Sequence, residues 1–365
     1  MFIYVKVTFE TMGKSYAKTK IFHFPDKLTS FKESKISSPI HVRIKPTNSC
    51  NHNCSYCSYR AECLQLGKDM VIKDFIPKNK LIEIIDDLDS MKVKAVTFSG
   101  GGEPFCYPYL LDVLKKISKT NIKFRSYTNG ARLEGEVSEL FAQKGTWLRV
   151  SMDGWDNKSY SEYRRVKDGE YTKIMNNMEN FKKFGGPCSL GVSLIIGEKN
   201  SSHVYEMIQR LKNVGVSSIK VSPCIVSDYG EQNNLYHEPF FNQVKEQIKK
   251  AVLDFEKNDF EIFDSYNKEV ISFKKDYAWC PYIQIRPVIG ADQNIYACQD
   301  KAYNLDNGLI GSIKNQSFKK FWFSDRDNFF KINPALNCDH HCVADTENKL
   351  IIDYLNVDRK ELEFV

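Results

Sequence analysis

The stretch that decides the fold reads Cys50-Asn51-His52-Asn53-Cys54-Ser55-Tyr56-Cys57, with three cysteines at C-x3-C-x2-C spacing after an apolar strand candidate. A structural zinc site normally has four protein ligands, and no fourth cysteine or histidine continues this run cleanly. Three closely spaced thiolates suit an iron–sulfur cluster in which one iron has no protein ligand. A zinc knuckle, or a set of unrelated thiols, is the alternative.

Strand and helix patterns alternate outward from this stretch. The strand candidates are 42–45, 95–99, 122–127, 147–150, 190–196 and 218–221. The helix candidates between them are 77–91, 109–118, 136–144, 171–184 and 203–213. Strands that alternate with helices predict a parallel α/β sheet with right-handed crossovers. Six strands are fewer than the eight that close a barrel.

The loops that follow the strands carry the polar signals. The second strand runs into Gly100-Gly101-Gly102-Glu103-Pro104, where glycines let the backbone approach a ligand and a carboxylate can bind an ammonium group. The third strand ends in Thr128-Asn129-Gly130. The fourth ends in Ser151-Met152-Asp153-Gly154, with Tyr163-Arg164-Arg165 further on. Taken alone, each of these stretches is an ordinary turn or an exposed charge.

The cysteine run, with Tyr56 before its last cysteine, and the Gly-Gly-Glu-Pro sequence at 101–104 together resemble the signature of radical S-adenosylmethionine (radical SAM) enzymes. The resemblance covers roughly residues 41–225 and implies a partial parallel (β/α)6, TIM-like barrel. In that superfamily the open iron of a [4Fe–4S] cluster binds the amino and carboxylate groups of SAM. The reduced cluster then cleaves SAM to a 5′-deoxyadenosyl radical, which abstracts a hydrogen from the substrate.

The resemblance also assigns site residues. Cys50, Cys54 and Cys57 would bind the cluster. The implied SAM contacts lie after successive strands: Tyr56 and Ile195 beside the adenine, Gly101, Gly102 and Glu103 at the amino group, Ser151 and Arg164 at the ribose and carboxylate, and Asn129 at the end of the third strand. Arg165 is the alternative to Arg164, because the length of the loop is uncertain.

A second cysteine set, Cys280, Cys298, Cys338 and Cys342, follows the barrel. The segments 283–288 and 294–297 predict a β-hairpin with its turn at 290–293, which would bring Cys280 and Cys298 close to the other two. Four thiolates suit structural zinc or a fully ligated [4Fe–4S] cluster.

The position of this set after the barrel resembles a twitch domain, the short form of the SPASM extension, and implies an auxiliary [4Fe–4S] cluster. Two features depart from that pattern: Gln293 replaces a common glycine, and the last pair is C-x3-C. His340 and His341 are expected to be neighbours of the site or surface residues, although one of them could replace Cys338 or Cys342 as a ligand.

The remaining cysteines are expected to be small buried residues. Cys188 lies at the start of the fifth strand, away from the active edge, and is interpreted as structural. Cys63 and Cys106 receive no role. Cys224 lies just past the sixth strand, where a thiol could donate a hydrogen atom to a substrate radical, as a radical epimerase requires.

Composition narrows the class of protein. The chain has 365 residues and a net charge of +6 without a long basic run, so nucleic acid is not an expected partner. No secretory signal is recognisable, and no apolar run reaches the roughly 18 residues of a membrane span. Eleven cysteines without an export signal indicate metal or redox chemistry in a reducing, cytoplasmic compartment.

The expected organisation is an N-terminal hairpin with arms at 2–9 and 17–24 and a lead-in (1–40), the partial barrel (41–225), a loop at 227–239 with a linker helix at 240–257 that bridges two lobes (within 226–278), the cluster-binding domain (279–345) and a C-terminal helix (346–365). The expected activity is oxidation of a small polar substrate such as a sugar, aminosugar or cyclitol, with a flavodoxin or ferredoxin as reductant. Small substrates are favoured because 1–40 is too short for a peptide-recognition domain. A peptide maturase, a radical epimerase and a zinc-binding interaction protein are the alternatives.

Overall fold

The computed structural model describes residues 16–257, 259–269 and 272–364. Ten strands in this part have the bounds β1 His41–Ile44, β2 Ala95–Phe98, β3 Lys123–Thr128, β4 Trp147–Ser151, β5 Ser189–Ile196, β6 Ser218–Pro223, β7 Glu261–Asp264, β8 Val288–Ile289, β9 Asn294–Tyr296 and β10 Leu309–Ser312. They form one sheet in the order β10-β9-β8-β1-β2-β3-β4-β5-β6-β7. β1 to β7 pair in parallel, and β8 pairs in parallel with the other side of β1.

The described residues contain thirteen α-helices. Their bounds are α1 Pro25–Lys32, α2 Lys78–Ser90, α3 Leu110–Ile117, α4 Gly135–Lys144, α5 Asn157–Arg164, α6 Glu170–Lys183, α7 Val204–Asn213, α8 Gly230–His237, α9 Phe241–Phe255, α10 Tyr282–Ile285, α11 Phe318–Ser324, α12 Pro334–Asn337 and α13 Asp345–Asn356. No helix among them has the length and apolar character needed to cross a membrane.

The two faces of the sheet differ in chemistry because side chains alternate along a strand. In β1, Val42 and Ile44 are fully buried and share one apolar cluster with α2, whose Leu81, Ile84, Ile85 and Leu88 recur at helical spacing. His41 and Arg43 therefore point to the opposite face, where His41 Nε2 lies 2.7 Å from Thr97 Oγ1 of β2. We call this opposite side of β1–β7 the inner face.

The predicted α/β class with a parallel, partial barrel is confirmed, and the parallel run is one strand longer than expected. α9 is the crossover helix between β6 and β7, whereas the sequence suggested a bridge between two lobes. The strand signal of β7 is weak, because the strand has only two apolar residues, which lie between Glu261 and Asp264. The segment 227–239, expected to be a loop, contains α8; its polar sequence gives little helical periodicity, which is why the prediction was wrong.

The hairpin of the second cysteine set is shorter than predicted. β8 and β9 pair antiparallel, but residues 283–285 of the expected first arm belong to α10. The turn places Gln293 at φ +62°, a conformation that favours glycine, which explains why glycine is common at this position and why glutamine adopts it at a cost. β8, β9 and β10 extend the barrel sheet through β1, so the expected separate small domain shares a sheet with the barrel.

The chain divides into two compact units, one of residues 36–343 and one that contains the described residues up to Lys35 and from Ala344 onward. In the second unit, the expected first hairpin arm (2–9) lies outside the described residues. The expected second arm (17–24) is wrong: Lys18–His23 is a 3-10 helix, and Pro25 begins α1. The C-terminal helix was expected at 346–365, and α13 ends at Asn356.

Candidate active site

The cysteine loop, residues 50–57, follows β1. Cys50, Cys54 and Cys57 are half-buried free cysteines. Two N–H groups face their sulfurs: the His52 backbone N–H lies 3.4 Å from Cys50 Sγ, and Arg164 Nη1 lies 3.5 Å from Cys54 Sγ. Burial raises the pKa of Cys50 to about 12, and the neighbouring Cys54 contributes to the rise. Thiolates that are unfavourable here as free anions are stabilised when they bind a metal centre.

The glycine turn, residues 99–103, follows β2 and packs on the segment that leads into the cysteine loop. The Glu103 N–H donates to the Ser49 carbonyl at 2.9 Å. A Cβ on Gly102 would lie 2.2 Å from the Ser49 carbonyl oxygen, and one on Gly101 would lie 2.4 Å from Asn48 Oδ1. Glycine is therefore required here by close approach of the chain to itself.

Glu103 is buried, and its carboxylate already accepts hydrogen bonds from the chain. Oε1 accepts from Thr128 Oγ1 at 2.7 Å and from the Phe105 N–H at 3.0 Å, and Oε2 accepts from the Asn129 N–H at 2.7 Å. Burial raises the pKa of Glu103, and these hydrogen bonds oppose that rise. The carboxylate therefore joins the glycine turn to the end of β3. Its predicted contact with the SAM amino group stays a prediction.

Asp153 is the centre of a buried polar network that sequence reasoning left without a role. This fully buried carboxylate pairs with the Arg164 guanidinium, accepts a hydrogen bond from the Tyr56 hydroxyl, and accepts one from the Ile195 N–H at 2.8 Å. Burial disfavours the charge of Arg164, but Asp153 beside it raises the pKa of Arg164 above its ordinary value. The available signal was the position of Asp153, two residues after a buried strand.

The carboxyl end of α5 supports the cysteine loop. The Asn53 N–H donates to the Arg164 carbonyl, and the Ser55 N–H donates to the Tyr163 carbonyl, each at 3.1 Å. Arg164 is buried, whereas Arg165 is exposed in a left-handed conformation at φ +49°. Of the two arginines considered from sequence, Arg164 is the one that contacts the site. Its predicted contact with SAM is untested.

The other predicted SAM contacts lie at the same edge of the sheet. Ser151 ends β4 half-buried on the inner face, and its hydroxyl makes no hydrogen bond to the described residues. Ile195 is half-buried on β5. Asn129 is engaged by the protein itself, because Nδ2 donates to Asn51 Oδ1 at 2.8 Å and Oδ1 accepts from the Ala131 N–H at 3.0 Å.

Cys224 lies one residue past β6 and is buried. Its N–H donates to the Ile196 carbonyl, and its own carbonyl lies 2.9 Å from His237 Nε2. Burial raises the pKa of the Cys224 thiol to about 12, so the thiol keeps its hydrogen at neutral pH. Cys188 is buried near Gly145, where burial alone raises the pKa of its thiol to about 12.

The second cysteine set is brought together by three segments. Cys280 precedes α10, Cys298 follows β9, and Cys338 and Cys342 follow α12. Burial raises the pKa of Cys298, and the three other cysteines of the set raise it further through their proximity.

Charged side chains connect these segments. Lys301 Nζ donates to the Asn337 carbonyl at 2.5 Å, and the Val343 N–H donates to Asp300 Oδ2 at 3.0 Å. His340 is buried, and its Nε2 has no hydrogen-bond partner in the described part of the chain. Burial lowers the pKa of His340 to about 4. His341 is bonded to Glu269 instead, with Nδ1 3.1 Å from Oε2.

Both cysteine sets fit an iron–sulfur cluster in their donor chemistry. Within the described ranges, no three His, Cys, Asp or Glu side chains converge closely enough to share a single metal ion. Each cysteine of a cluster binds a different iron, so its sulfurs need not converge on one point. At the first set, Asn48 Oδ1 is buried beside Gly101 and is an acceptor with no hydrogen-bond partner among the described residues.

Lys45, which sequence reasoning also passed over, connects the two cysteine sets. This fully buried lysine follows β1 and donates to the Gly100 carbonyl at 2.6 Å, to Gln299 Oε1 at 3.0 Å and to the Tyr59 hydroxyl. Tyr59 lies two residues after Cys57, and Gln299 follows Cys298. A charged residue at the end of a buried strand was the signal available.

Comparison with known proteins agrees with this geometry. The model of the radical SAM superfamily matches residues 44–203, a segment that holds the cysteine loop, the glycine turn and Arg164. Residues 44–203 form a radical SAM domain. The predicted superfamily is thereby confirmed for this segment, and the site residues expected at the cysteine loop stay a prediction.

Two relatives and one solved structure show how similar this chain is to known proteins in sequence and in fold. An uncharacterized protein of Archaeoglobus fulgidus is 31% identical over 46% of this chain, and this chain spans only 37% of that protein. An S-adenosylmethionine-dependent nucleotide dehydratase of Psychrobacter lutiphocae is 22% identical, covering 60% of this chain and 76% of its own length. Streptococcus suis SuiB bound to its precursor peptide SuiA superposes with a TM-score of 0.61 at 15% identity, covering 82% of this chain and 68% of SuiB.

Proposed function

We propose that this chain is a radical SAM oxidoreductase that binds a [4Fe–4S] cluster at Cys50, Cys54 and Cys57. The observation that carries the proposal is that the cysteine loop, the glycine turn and the end of α5 meet at one edge of the sheet through direct hydrogen bonds. Parallel α/β enzymes place their reacting groups at the carboxyl ends of the strands, which is this edge.

When bound, the cluster and SAM supply one-electron reductive cleavage to methionine and a 5′-deoxyadenosyl radical, which abstracts hydrogen. The chain holds and orients these groups. Arg164 places a positive charge beside Cys54, and Asp153 fixes that guanidinium and the Tyr56 ring. Gly101, Gly102 and Glu103 would bind the amino group of SAM, Ser151 its ribose or carboxylate, and Ile195 its adenine. Asn129 would position the glycine turn.

We also propose an auxiliary [4Fe–4S] cluster at Cys280, Cys298, Cys338 and Cys342, in a twitch-type region. With four cysteine ligands it would accept an electron without binding substrate. The lysines support this proposal: burial raises the pKa of the Cys338 thiol, and Lys301 and Lys275 lie close enough to oppose that rise, as they would stabilise a thiolate ligand. Loss of one electron and one proton from a substrate radical completes a two-electron oxidation.

The substrate we propose is a small polar molecule, and a flavodoxin or ferredoxin would supply the first electron. A peptide is the alternative, and the superposition with a peptide-bound SuiB supports it only at the level of the fold. A nucleotide dehydratase and a biosynthesis protein of the bacteriocin subtilosin both occur among the similar proteins. Cytoplasmic location is part of the same proposal.

A radical epimerase is the second candidate, and the observation that favours it is the protonated, buried thiol of Cys224 past β6. Cys224→Ala would then abolish epimerisation and spare SAM cleavage. A product unchanged by that substitution removes this candidate.

The test is anaerobic reconstitution, with iron, zinc and 5′-deoxyadenosine measured per chain. We expect about eight irons and SAM cleavage, and about four irons without cleavage when Cys50, Cys54 and Cys57 are replaced by alanine. Cys188→Ala is the matched control and should retain about eight irons and SAM cleavage. Four irons and one zinc per chain would mean that the second cysteine set holds zinc. The proposal of an auxiliary electron acceptor would then be rejected. A colourless zinc protein that forms no 5′-deoxyadenosine would overturn the proposal in favour of an interaction protein.

A further inference from the structure

The loop of residues 338–342 carries a buried histidine between two cysteines of the second set. This loop is bonded at both ends to the segment that follows Cys298, through Lys301 at one end and Asp300 at the other. His340 is the middle residue of the loop, two residues from the cysteine at either end, and is only 2% exposed. Its imidazole therefore lies inside the protein, in the loop that supplies two of the four thiols.

The ring of His340 and the thiol of Cys338 have the same charged neighbours. Burial raises the pKa of Cys338 and lowers that of His340, and Asp300, Lys301 and Lys275 modify both values. Lys275 Nζ also donates to the His340 carbonyl at 3.4 Å. The imidazole and the thiol therefore lie in one small region of the structure.

A hydrogen bond fixes which ring nitrogen of His340 carries the proton. Nδ1 lies 2.6 Å from the His341 carbonyl oxygen, which can only accept, so Nδ1 is the N–H donor. A neutral imidazole has one N–H, and Nε2 therefore presents a lone pair. A second proton on Nε2 would bury a charged donor without an acceptor, because Nε2 has no hydrogen-bond partner among the described residues.

This arrangement is typical of histidines that bind a metal. In such histidines the ring N–H on the far side from the metal donates to a backbone carbonyl or a carboxylate, which fixes the orientation of the ring. The neighbouring His341 differs, since its side chain is 38% exposed and its Nδ1 lies 3.1 Å from Glu269 Oε2. Of these two histidines, His340 is the one that is buried and has an unpartnered ring nitrogen within the described part of the chain.

We propose that His340 binds one iron of the auxiliary cluster through Nε2. This inference rests on the auxiliary cluster proposed above and revises its ligand set. Four irons take four protein ligands, so the imidazole takes the place of one of the four thiolates. A neutral ligand in place of a thiolate makes the cluster less negative and raises its reduction potential, as histidine does in other iron–sulfur centres. The cluster is then a stronger acceptor for the electron of a substrate radical.

The test uses the full chain with Cys50, Cys54 and Cys57 replaced by alanine, so that only the second set holds a cluster. The protein is prepared with ¹⁴N- or ¹⁵N-histidine, reconstituted to about four irons, reduced and measured by pulsed EPR. We expect a nitrogen coupling that changes with the label. The further substitution His340→Ala should abolish this coupling, and the matched control His341→Ala should retain it.

His340→Cys guards against misfolding as the cause, because it supplies a thiolate at the same position. We expect this variant to keep about four irons, to lose the nitrogen coupling and to have a more negative midpoint potential. A four-iron preparation without a label-dependent coupling would overturn the inference. Persistence of the coupling in His340→Cys would overturn it as well.

Metal analysis separates this inference from the proposed function. Where the second set holds zinc, a nitrogen at about 2.0–2.1 Å in zinc X-ray absorption, lost in His340→Ala, supports His340 as a ligand and rejects only the electron acceptor. Zinc bound by sulfur alone, or a second set without metal, overturns the inference. 5′-Deoxyadenosine formation, measured in the chain with an intact first set, reports on the radical chemistry. Normal formation without a histidine ligand rejects only the role of His340.

Discussion

At the scale of single residues, the site depends on a charge pair that is removed from water. Asp153 and Arg164 have 0% and 5% of their side chains exposed. A buried pair of this kind contributes little beyond its desolvation cost, but an unpaired member is strongly destabilising. The pair therefore fixes geometry: it sets the position of Arg164 beside Cys54 and of Tyr56 in the cysteine loop.

Removal of both members of this pair should therefore cost less than the two single removals added together. We expect Arg164→Met and Asp153→Asn each to lower the free energy of unfolding by about 3–5 kcal/mol. The double variant should lose clearly less than the sum, because neither charge is left alone. Denaturant unfolding of the four proteins measures this coupling. Additive losses would mean that the two groups do not stabilise each other.

Lys27 of α1 gives a prediction for pH. Burial lowers the pKa of Lys27 to about 7, whereas the unfolded chain keeps the ordinary value near 10.5. Between these values the unfolded state binds more protons, so stability should rise with pH. Relative to Lys27→Met, the wild type should gain at most about 1.4 kcal/mol per pH unit over this window. Denaturant unfolding at pH 7, 8 and 9 checks it, and a difference that stays constant with pH contradicts it.

At the scale of elements, the site is the contact between two loops that follow neighbouring strands. The glycine turn after β2 and the segment before the cysteine loop after β1 approach so closely that their backbones exclude a side chain. Parallel pairing of β1 with β2 in register, His41 with Ala95 and Ile44 with Phe98, aligns the two loops. A substitution at this contact should therefore affect binding of both the cluster and SAM.

Gly102→Ala should separate the two loops, since its Cβ would lie 2.2 Å from one backbone atom and 2.4 Å from another. We expect Gly102→Ala to lose SAM binding and most of the iron at the first site. Its free energy of unfolding should fall by about 1–3 kcal/mol. Gly135→Ala is the control: it has φ +64° and no atom within 4 Å of the added Cβ. Gly135→Ala should lower the free energy of unfolding by about 1 kcal/mol through strain alone. It should keep both the cluster and SAM. Normal iron and SAM binding in Gly102→Ala would refute this account.

At the scale of the whole molecule, one sheet joins the radical SAM domain to the region of the second cysteine set. β8 lies between β1 and β9 in the sheet. Cys298, which follows β9, therefore lies near the strand that leads to Cys50, although the two cysteines are far apart in sequence. Lys45 bonds the ends of these segments, with Gly100 on one side and Gln299 on the other. The two cysteine sets are thus held by one rigid arrangement of strands.

Lys45→Met should loosen this connection, because the Gly100 carbonyl and Gln299 Oε1 would lose a buried donor. We expect a loss of at least about 2 kcal/mol in the free energy of unfolding. Hydrogen exchange of the segment after Cys298 should become faster in the variant. The exposed Lys123→Met should change stability by less than about 0.5 kcal/mol. Unchanged exchange after Cys298 would show that Lys45 does not connect the two regions.

The sequence by itself determined the elements with local signals. Apolar runs of four to eight residues predicted β1 to β6, and the spacing of Cys50, Cys54 and Cys57 with the Gly-Gly-Glu-Pro run indicated the radical SAM chemistry. These signals are readable because a buried strand and a ligand loop each require particular residues at neighbouring positions. Elements with weak local signals were missed, as α8 and β7 show.

Only the tertiary structure decided which residues distant in sequence meet. The roles of Asp153 and Lys45, the support of the cysteine loop by α5, and the pairing of β8 with β1 depend on contacts between segments up to 254 residues apart. Packing and parallel pairing, which act across the chain, set these contacts, and a local pattern carries no record of them.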